Sequence, residues 1–452
     1  MRLVVPMILL LVAGCIDVPD ATVEPATTLG RGAAGDAFNG LGDPLLHGEG
    51  HSHADLAAHR LATPSMTMLA RETFASLGIS GPAFGEIDLL GDHYAVVADL
   101  LAGFYVLDVS DPEHPVPVSF TPDAGYIADV KASESGDFVF LGIQLAGFTG
   151  VHVFNVAVPE RPVFTGAFPI VGTAPFEGGC HMIEVHGSYL YCAPNDATVR
   201  IFSITETPVT AILTPVGAYA PQGAPPAPVL APAAAGDEFT HDMTVQDDPV
   251  TGEPVMFVSF WDYGVRVVDV SDPSSPRELG GWTGEGAEDW GTYGGNLHTS
   301  MAGLINGKRV VVTIPEYAEV PSVTLLDASD YGAMTALGVW APHTAEELDG
   351  EASTFSMHNF QLVGSTIYLA MYHGGVWVLD ASEPTHPVPV GYFLPSEGAS
   401  TSVPVPIFSG GGQSVWDVVV KDGVILATDI TGGLYALQYA PDAGAVGLTS
   451  FA

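Results

Sequence analysis

Positive charge is scarce in this chain. Twelve Lys and Arg stand against 52 Asp and Glu over 452 residues, a formal charge of −40. A field of that sign repels phosphate backbones, so nucleic acid is excluded as a partner. It keeps the surface solvated and favours accumulation of cations. Cysteine is scarcer still: Cys15, Cys180 and Cys192 are the whole set. Long apolar runs are missing, since Leu3–Ala13 falls well short of the ~20 residues a membrane-crossing helix needs. There is no G-x-S-x-G elbow, no P-loop and no H-E-x-x-H, which removes three common catalytic signatures. No long amphipathic helix is evident beyond the N-terminal segment. What is plentiful is glycine, 53 residues, and proline, 36, within a chain that is 47% hydrophobic. That composition suits many short strands joined by tight turns, an all-β class.

One sentence of sequence recurs along the chain. Gly264–Pro273 reads G-V-R-V-V-D-V-S-D-P. Its β-branched run favours a pleated strand, and Ser-Asp-Pro ends it, because Asp and Ser bond nearby backbone and Pro cannot donate to a ladder. Gly103–Pro112 and Gly375–Pro384 are close copies, and Gly150–Pro159, Thr198–Thr205, Ser322–Asp330 and Gly433–Pro441 are weaker ones. The polar position falls at Asp108, Asn155, Ser203, Asp269, Asp327, Asp380 and Gln438, spaced 47, 48, 66, 58, 53 and 58 residues apart. A repeat near 40–50 residues with four strands per unit predicts a seven-bladed β-propeller with four-stranded blades.

The blades are expected at about Gly85–Pro122, Ala128–Pro169, Cys180–Tyr219, Thr240–Thr283, Leu297–Pro342, Met357–Pro395 and Val415–Tyr439. Met66–Ala75 alternates imperfectly and is expected as the outer strand of the last blade, closing the ring. Four irregular insertions, Ala220–Glu238, Gly284–Asn296, His343–Ser356 and Ser396–Gln413, lie between the last strand of one blade and the first of the next. Those connections share the face that carries the channel mouth, where long loops on a rigid scaffold usually hold function. The six tryptophans could form a carbohydrate platform, but most lie in strands and read as blade packing, and Gly410-Gly411-Gly412 reads as a loop. Cys180 and Cys192 flank a hairpin turning at Gly187-Ser188, in which Cys192 opposes Ile183. Cys180 is then about 10 Å out of step along the strand, beyond the ~7 Å limit for a bridge, so the spacing predicts two unbonded thiols.

The N-terminus resembles a bacterial lipoprotein signal: Met1-Arg2, apolar Leu3–Ala13, then Val12-Ala13-Gly14-Cys15 in the manner of a lipobox. The resemblance implies removal of residues 1–14 and lipidation of Cys15, the membrane being reached through that anchor alone. Ile16, where an Asp would retain the protein at the inner membrane, implies an outer-membrane or surface location. Residues 15–65 read as a tether carrying His47, His51, His53 and His59, either a metal-delivery segment or a polar linker, ahead of a propeller at 66–452. The V-x-V-x-D-V-S-D-P units, each following a G-[DS]-x-hydrophobic strand such as Gly91-Asp92 or Gly364-Ser365, resemble the LVIVD-repeat proteins, which are bacterial propellers. That resemblance spans about Gly85 to Pro441 and speaks to fold, with little to say about activity.

Aligning the openings of the first strands places His181, His241, His298 and His358 at one structural position in blades three to six. Gly85, Ala128 and Trp416 occupy it elsewhere. The next position holds Glu86, Asp129, Met182, Asp242, Thr299, Asn359 and Asp417, so the channel mouth is expected to include Glu86, Asp129, Asn359, Trp416 and Asp417. Imidazoles from a rigid ring suit one Cu, Fe or Zn ion, with Glu177, Glu238, Asp242, Glu288 and Glu351 as candidates to orient them. Such binding weakens as pH falls through the imidazole range, near about 6.5 before any shift. The architecture is broadly similar to carotenoid-cleaving oxygenases, with four inward histidines, and to the selenium-binding/methanethiol-oxidase family. The competing expectation is structural, since in WD-repeat propellers a histidine here ties its loop to a neighbouring turn. Two functions follow: a lipid-anchored propeller binding a protein or small ligand at its channel-mouth face, or a metal-dependent oxidase or oxygenase built on the four histidines.

Overall fold

A computed structural model describes residues 62–74, 77, 83–144, 149–170, 179–194, 196–221, 240–284, 296–316, 321–341, 356–395 and 414–441. Met66–Glu72 is β1, and the last three strands are β26 (Val415–Lys421), β27 (Val424–Asp429) and β28 (Gly433–Tyr439). Between them lie six antiparallel meanders of four strands, each hydrogen-bonded in chain order. β1 pairs with β28 to complete the seventh blade, so the two ends of the domain share one sheet. The protein is a seven-bladed β-propeller whose ring is sealed in the expected way.

The recurring sentence has a local physical cause. Where an Asp ends the third strand it accepts from the amide two residues on: Asp108 from Ser110 at 2.9 Å, Asp269 from Ser271 at 3.0 Å and Asp380 from Ser382 at 2.8 Å. This satisfies the backbone as it leaves the sheet. The glycine that opens the strand is required sterically: a Cβ on Gly264 would stand 1.9 Å from the Trp282 carbonyl oxygen, at φ +80°. Between each third strand and the outermost one the ladder slips by one residue, for example at Val106/Leu107, Val267/Val268 and Val378/Leu379. A bulge at the same place in every blade twists the outer strand over its neighbour. Apolar side chains from facing sheets fill the seven gaps, and Trp282, Trp340 and Trp377 are buried in those layers.

Polar clips join blades around the channel. Asp129 accepts from Ile183 at 2.8 Å, Asp417 from Ile87 at 3.0 Å, Asp88 from Ala132 at 2.8 Å and Gln361 from Val420 at 2.7 Å. Each bond ties a first strand to that of the next blade.

One expectation fails. Cys180 and Cys192 are joined by a disulfide, with Cα atoms 5.4 Å apart. Cys192 does oppose Ile183 as expected. The error lay in extending the strand straight back to Cys180: the ladder starts at Met182, so Cys180 lies outside regular pairing, beside Gly179 at φ +77°.

Candidate metal centre at the channel mouth

The four histidines reach the channel by being held just outside regular pairing. His298 lies within β18 (Leu297–Ile305), where the ladder skips from Leu297 to Thr299. The bulge leaves His298 unpaired and turns its ring inward. The same slip re-aims Ala128 and Trp416 in their blades. His181 and His241 immediately precede their strands, with backbone amides bonded to Ala193 and Ser259. His358 donates its amide to Ala370.

The rings form a continuous arc. Centroids of His181 and His241 are 4.6 Å apart, those of His241 and His298 4.5 Å, and those of His298 and His358 4.3 Å. His181 Nε2 and His241 Nε2 approach to 3.2 Å. The imidazoles converge on one region, while His181 and His358 also bond neighbouring blades through Gln144 and the Trp416 carbonyl.

A carboxylate absent from the sequence expectation completes the group. Glu316 leaves the second strand of blade five, β19 (Lys308–Pro315), and its Oε2 is 3.6 Å from His241 Nε2 and 3.9 Å from His298 Nε2. The donor atoms of His241, His298 and Glu316 all lie within 4.8 Å of one another. Tyr372, leaving the second strand of blade six, donates its hydroxyl to Glu316 Oε1, which fixes the carboxylate with Oε2 toward the histidines. Trp261, in the matching place of blade four, stacks on His241 with centroids 4.6 Å apart. Trp416 packs on His358 at 4.0 Å. Trp261 and Trp416 therefore line the site. A buried acid closing the apolar run V-V-V-T-I-P-E was the available signal for Glu316.

Hydrogen bonds set the tautomers. Thr299 Oγ1 faces only acceptors besides His298: Asp242 Oδ2 at 2.8 Å, Asn359 Oδ1 at 2.9 Å and the His358 carbonyl at 3.3 Å. With Asp242 ionised, its single proton goes to one of these, and Thr299 then accepts from His298 Nδ1, 2.8 Å away. His298 Nε2 is consequently a bare lone pair. The residue is 0% exposed, and that nitrogen has no hydrogen-bond partner. It faces the Glu316 carboxylate, lone pair toward anion. His358 Nδ1 donates to the Trp416 carbonyl at 2.9 Å and His181 Nδ1 to Gln144 Oε1 at 2.8 Å, which leaves their Nε2 atoms as lone pairs too.

Burial keeps these rings neutral. It lowers His181 to about 4 and His358 to about 3, and it holds His241 and His298 well below the ordinary imidazole value, with mutual repulsion adding to the effect. The sequence expectation of titration near about 6.5 is thereby moved to lower pH.

Beneath the arc lies the expected acidic layer. Glu86 accepts from Asn359 Nδ2 at 2.7 Å and from the Trp416 indole at 2.9 Å. Burial raises it well above the carboxylate range, reinforced by Asp417 and Asp129. Burial also raises Asp129 to about 6 and Asp242 to about 7. Lys131, with Nζ 3.7 Å from Asp129, is pulled down by burial, but Asp129, Glu184, Asp88 and Glu86 more than compensate and hold it charged. Of the proposed orienting acids, Asp242 reaches His298 through Thr299, whereas Glu177, Glu238, Glu288 and Glu351 lie outside the described residues, as does Cys15.

The donor set fits a divalent transition ion. Ligands at 2.0–2.1 Å in a tetrahedron stand about 3.3 Å apart; the 3.2 Å His181–His241 edge already has that spacing, the Glu316 edges of 3.6 and 3.9 Å must shorten, and His181, outside the trio whose donor atoms lie within 4.8 Å of one another, must move inward to join it.

Comparison with known proteins agrees on the architecture. The protein-family description of the LVIVD repeat matches residues 86–119 and 255–283, so this is a β-propeller carrying LVIVD repeats. No curated protein sequence matches the chain. Among solved structures it is similar to the WD40 propeller domain of Doa1, at 10% identity and a TM-score of 0.53, covering 84% of this chain and 99% of that one. A putative 6-phosphogluconolactonase from Bacteroides uniformis is similar at 14% identity and a TM-score of 0.52, with 76% and 95% covered. Saccharomyces cerevisiae Sqt1 gives 11% identity and a TM-score of 0.51, with 82% and 85% covered. Identities so low speak to fold alone.

Proposed function

We propose that the channel mouth is a transition-metal centre in which His241, His298 and Glu316 hold one ion and His181 supplies a fourth donor. The observation that carries this reading is the convergence of donor atoms from His241, His298 and Glu316 within 4.8 Å of one another, with the buried His298 Nε2 lacking a hydrogen-bond partner 3.9 Å from the carboxylate. Two electron-rich groups so placed repel, and a cation bound to both removes the conflict. Two histidines and one carboxylate are the donor set of catalytic Zn sites and of non-haem Fe(II) oxygenases. A bound ion would supply Lewis acidity or one-electron chemistry among these buried ligands. In this reading the chain is an exported propeller, anchored through Cys15, and the metal-dependent oxidase or oxygenase class is favoured over a purely passive role.

A propeller is also commonly a protein-interaction scaffold, and the same face remains our proposal for where a protein or small ligand docks. The discriminating experiment is metal content after loading with Zn(II), Fe(II) or Cu(II), in the parent and in Glu316→Gln and His298→Ala. The reading expects stoichiometric metal in the parent and loss in both variants with the fold retained. Equal metal in all three would refute it.

A further inference from the structure

The metal reading leaves a question about His181, the one member of the arc that is only half-buried. The other three are locked by extended packing. His298 sits inside a nine-residue strand, His241 is stacked on Trp261, and His358 is wedged against Trp416 and Tyr372. His181 precedes the five-residue strand β10 (Met182–His186), two residues after Gly179 at φ +77°. Its backbone is fastened by one amide bond to Ala193 and, one residue earlier, by the disulfide to Cys192. Both sulfur-bearing residues are 0% exposed, and both anchors fall on adjacent residues of the second strand, β11 (Tyr189–Ala193).

We propose that the Cys180–Cys192 disulfide is a positioning device for the metal centre: it places His181 as the fourth donor, so the site reaches full affinity only in the oxidised chain. This rests on the metal reading above. Forming the bond removes two electrons and two protons from the thiols, and an external disulfide of the export compartment takes them up as two thiols. The reduced chain keeps the His241–His298–Glu316 core. Its segment 179–181 is then held by the Ala193 bond and by the Gly179 amide donating to the Ile170 carbonyl at 2.8 Å, with no covalent tie to β11, and the Gln144 contact orients the ring. Tight metal retention thus becomes coupled to oxidative folding. Because the bond is buried in the folded protein, it acts once, at maturation.

The test is Co(II) affinity, by chelator competition, together with the Co(II) visible spectrum, on the full chain. Four proteins are compared: parent, Cys180→Ala/Cys192→Ala, His181→Ala, and the combination of all three changes. The double cysteine variant should bind about 10–100-fold more weakly, the range found when a group supporting a ligand is lost. Its Co(II) spectrum should match that of His181→Ala, and adding His181→Ala to it should cost nothing more. Parent-like affinity in the double variant overturns the proposal, and so do strictly additive losses. Should the alanine pair fail to fold, Cys180→Val/Cys192→Ala, which refills the apolar space, carries the same comparison. If the parent takes no Co(II), the metal reading fails separately, and the clamp is judged in metal-free protein by hydrogen exchange. Faster exchange confined to the amides of Cys180–Met182 supports it, and unchanged exchange there overturns it.

Discussion

Met66 and Tyr439 face each other as the terminal pair of the seventh blade's outer ladder. The Met66 side chain also packs into the apolar layer between blades six and seven with Val376 and Val378. Ser65 adds a hydrogen bond to the Val390 carbonyl at 2.8 Å, and Phe74, past the strand's end, is fully buried between blades seven and one. Deleting Met66–Phe74 strips a blade of its edge and two layers of side chains. Thermal melting should fall by well over about 5 °C, since even 1–2 kcal/mol shifts a domain of this size by a few degrees. A truncated protein melting with its parent would refute closure through β1.

The blade clips make a local prediction. Asp129 accepts from Val130 at 2.7 Å within its own strand and from Ile183 at 2.8 Å in the next blade. Asp129→Ala leaves both buried amides unsatisfied, at about 1–3 kcal/mol each. Denaturant unfolding should show the loss as a lower midpoint.

Acid stability follows from the depressed imidazoles. The unfolded chain protonates histidine below about 6.5, whereas folded His358 stays neutral until about 3. The unfolded state therefore binds more protons in that window, and each such ring makes stability fall as pH drops through it. Relative to the metal-free parent, His358→Gln should lose about 1.4 kcal/mol less per pH unit between about 6 and 4. Parallel stability curves for the two proteins would contradict the buried neutral state.

For the N-terminus, Cys15→Ser should release the protein from bacterial membranes with its melting unchanged, as fractionation and calorimetry would show. Membrane association that survives the change would exclude the lipobox.

The fold was legible because each repeat carries its own turn chemistry, and Asp108, Asp269 and Asp380 mark it at readable intervals. The histidine arc was legible for the same reason, since residues copied at one position of a ring must meet at its mouth. Glu316 and Tyr372 were not, because they belong to exits from second strands, which the repeat does not hold to one residue type. The disulfide was missed because strand geometry was carried back to Cys180, whereas the ladder ends at Met182. The tautomer of His298 depends on Thr299, Asp242 and Asn359 from three blades, a relationship that exists only after folding.

The most direct test of the central claim is the metal-to-protein ratio of the full chain after loading with Zn(II) and exhaustive dialysis at about pH 5.5, below the free imidazole value. Since folded His181 titrates only near about 4 and burial holds His241 and His298 well below the ordinary imidazole value, the three donor nitrogens remain available at that pH. The account predicts about one ion per chain, falling away near pH 4. A ratio indistinguishable from zero at pH 5.5 and also at pH 7 would contradict it.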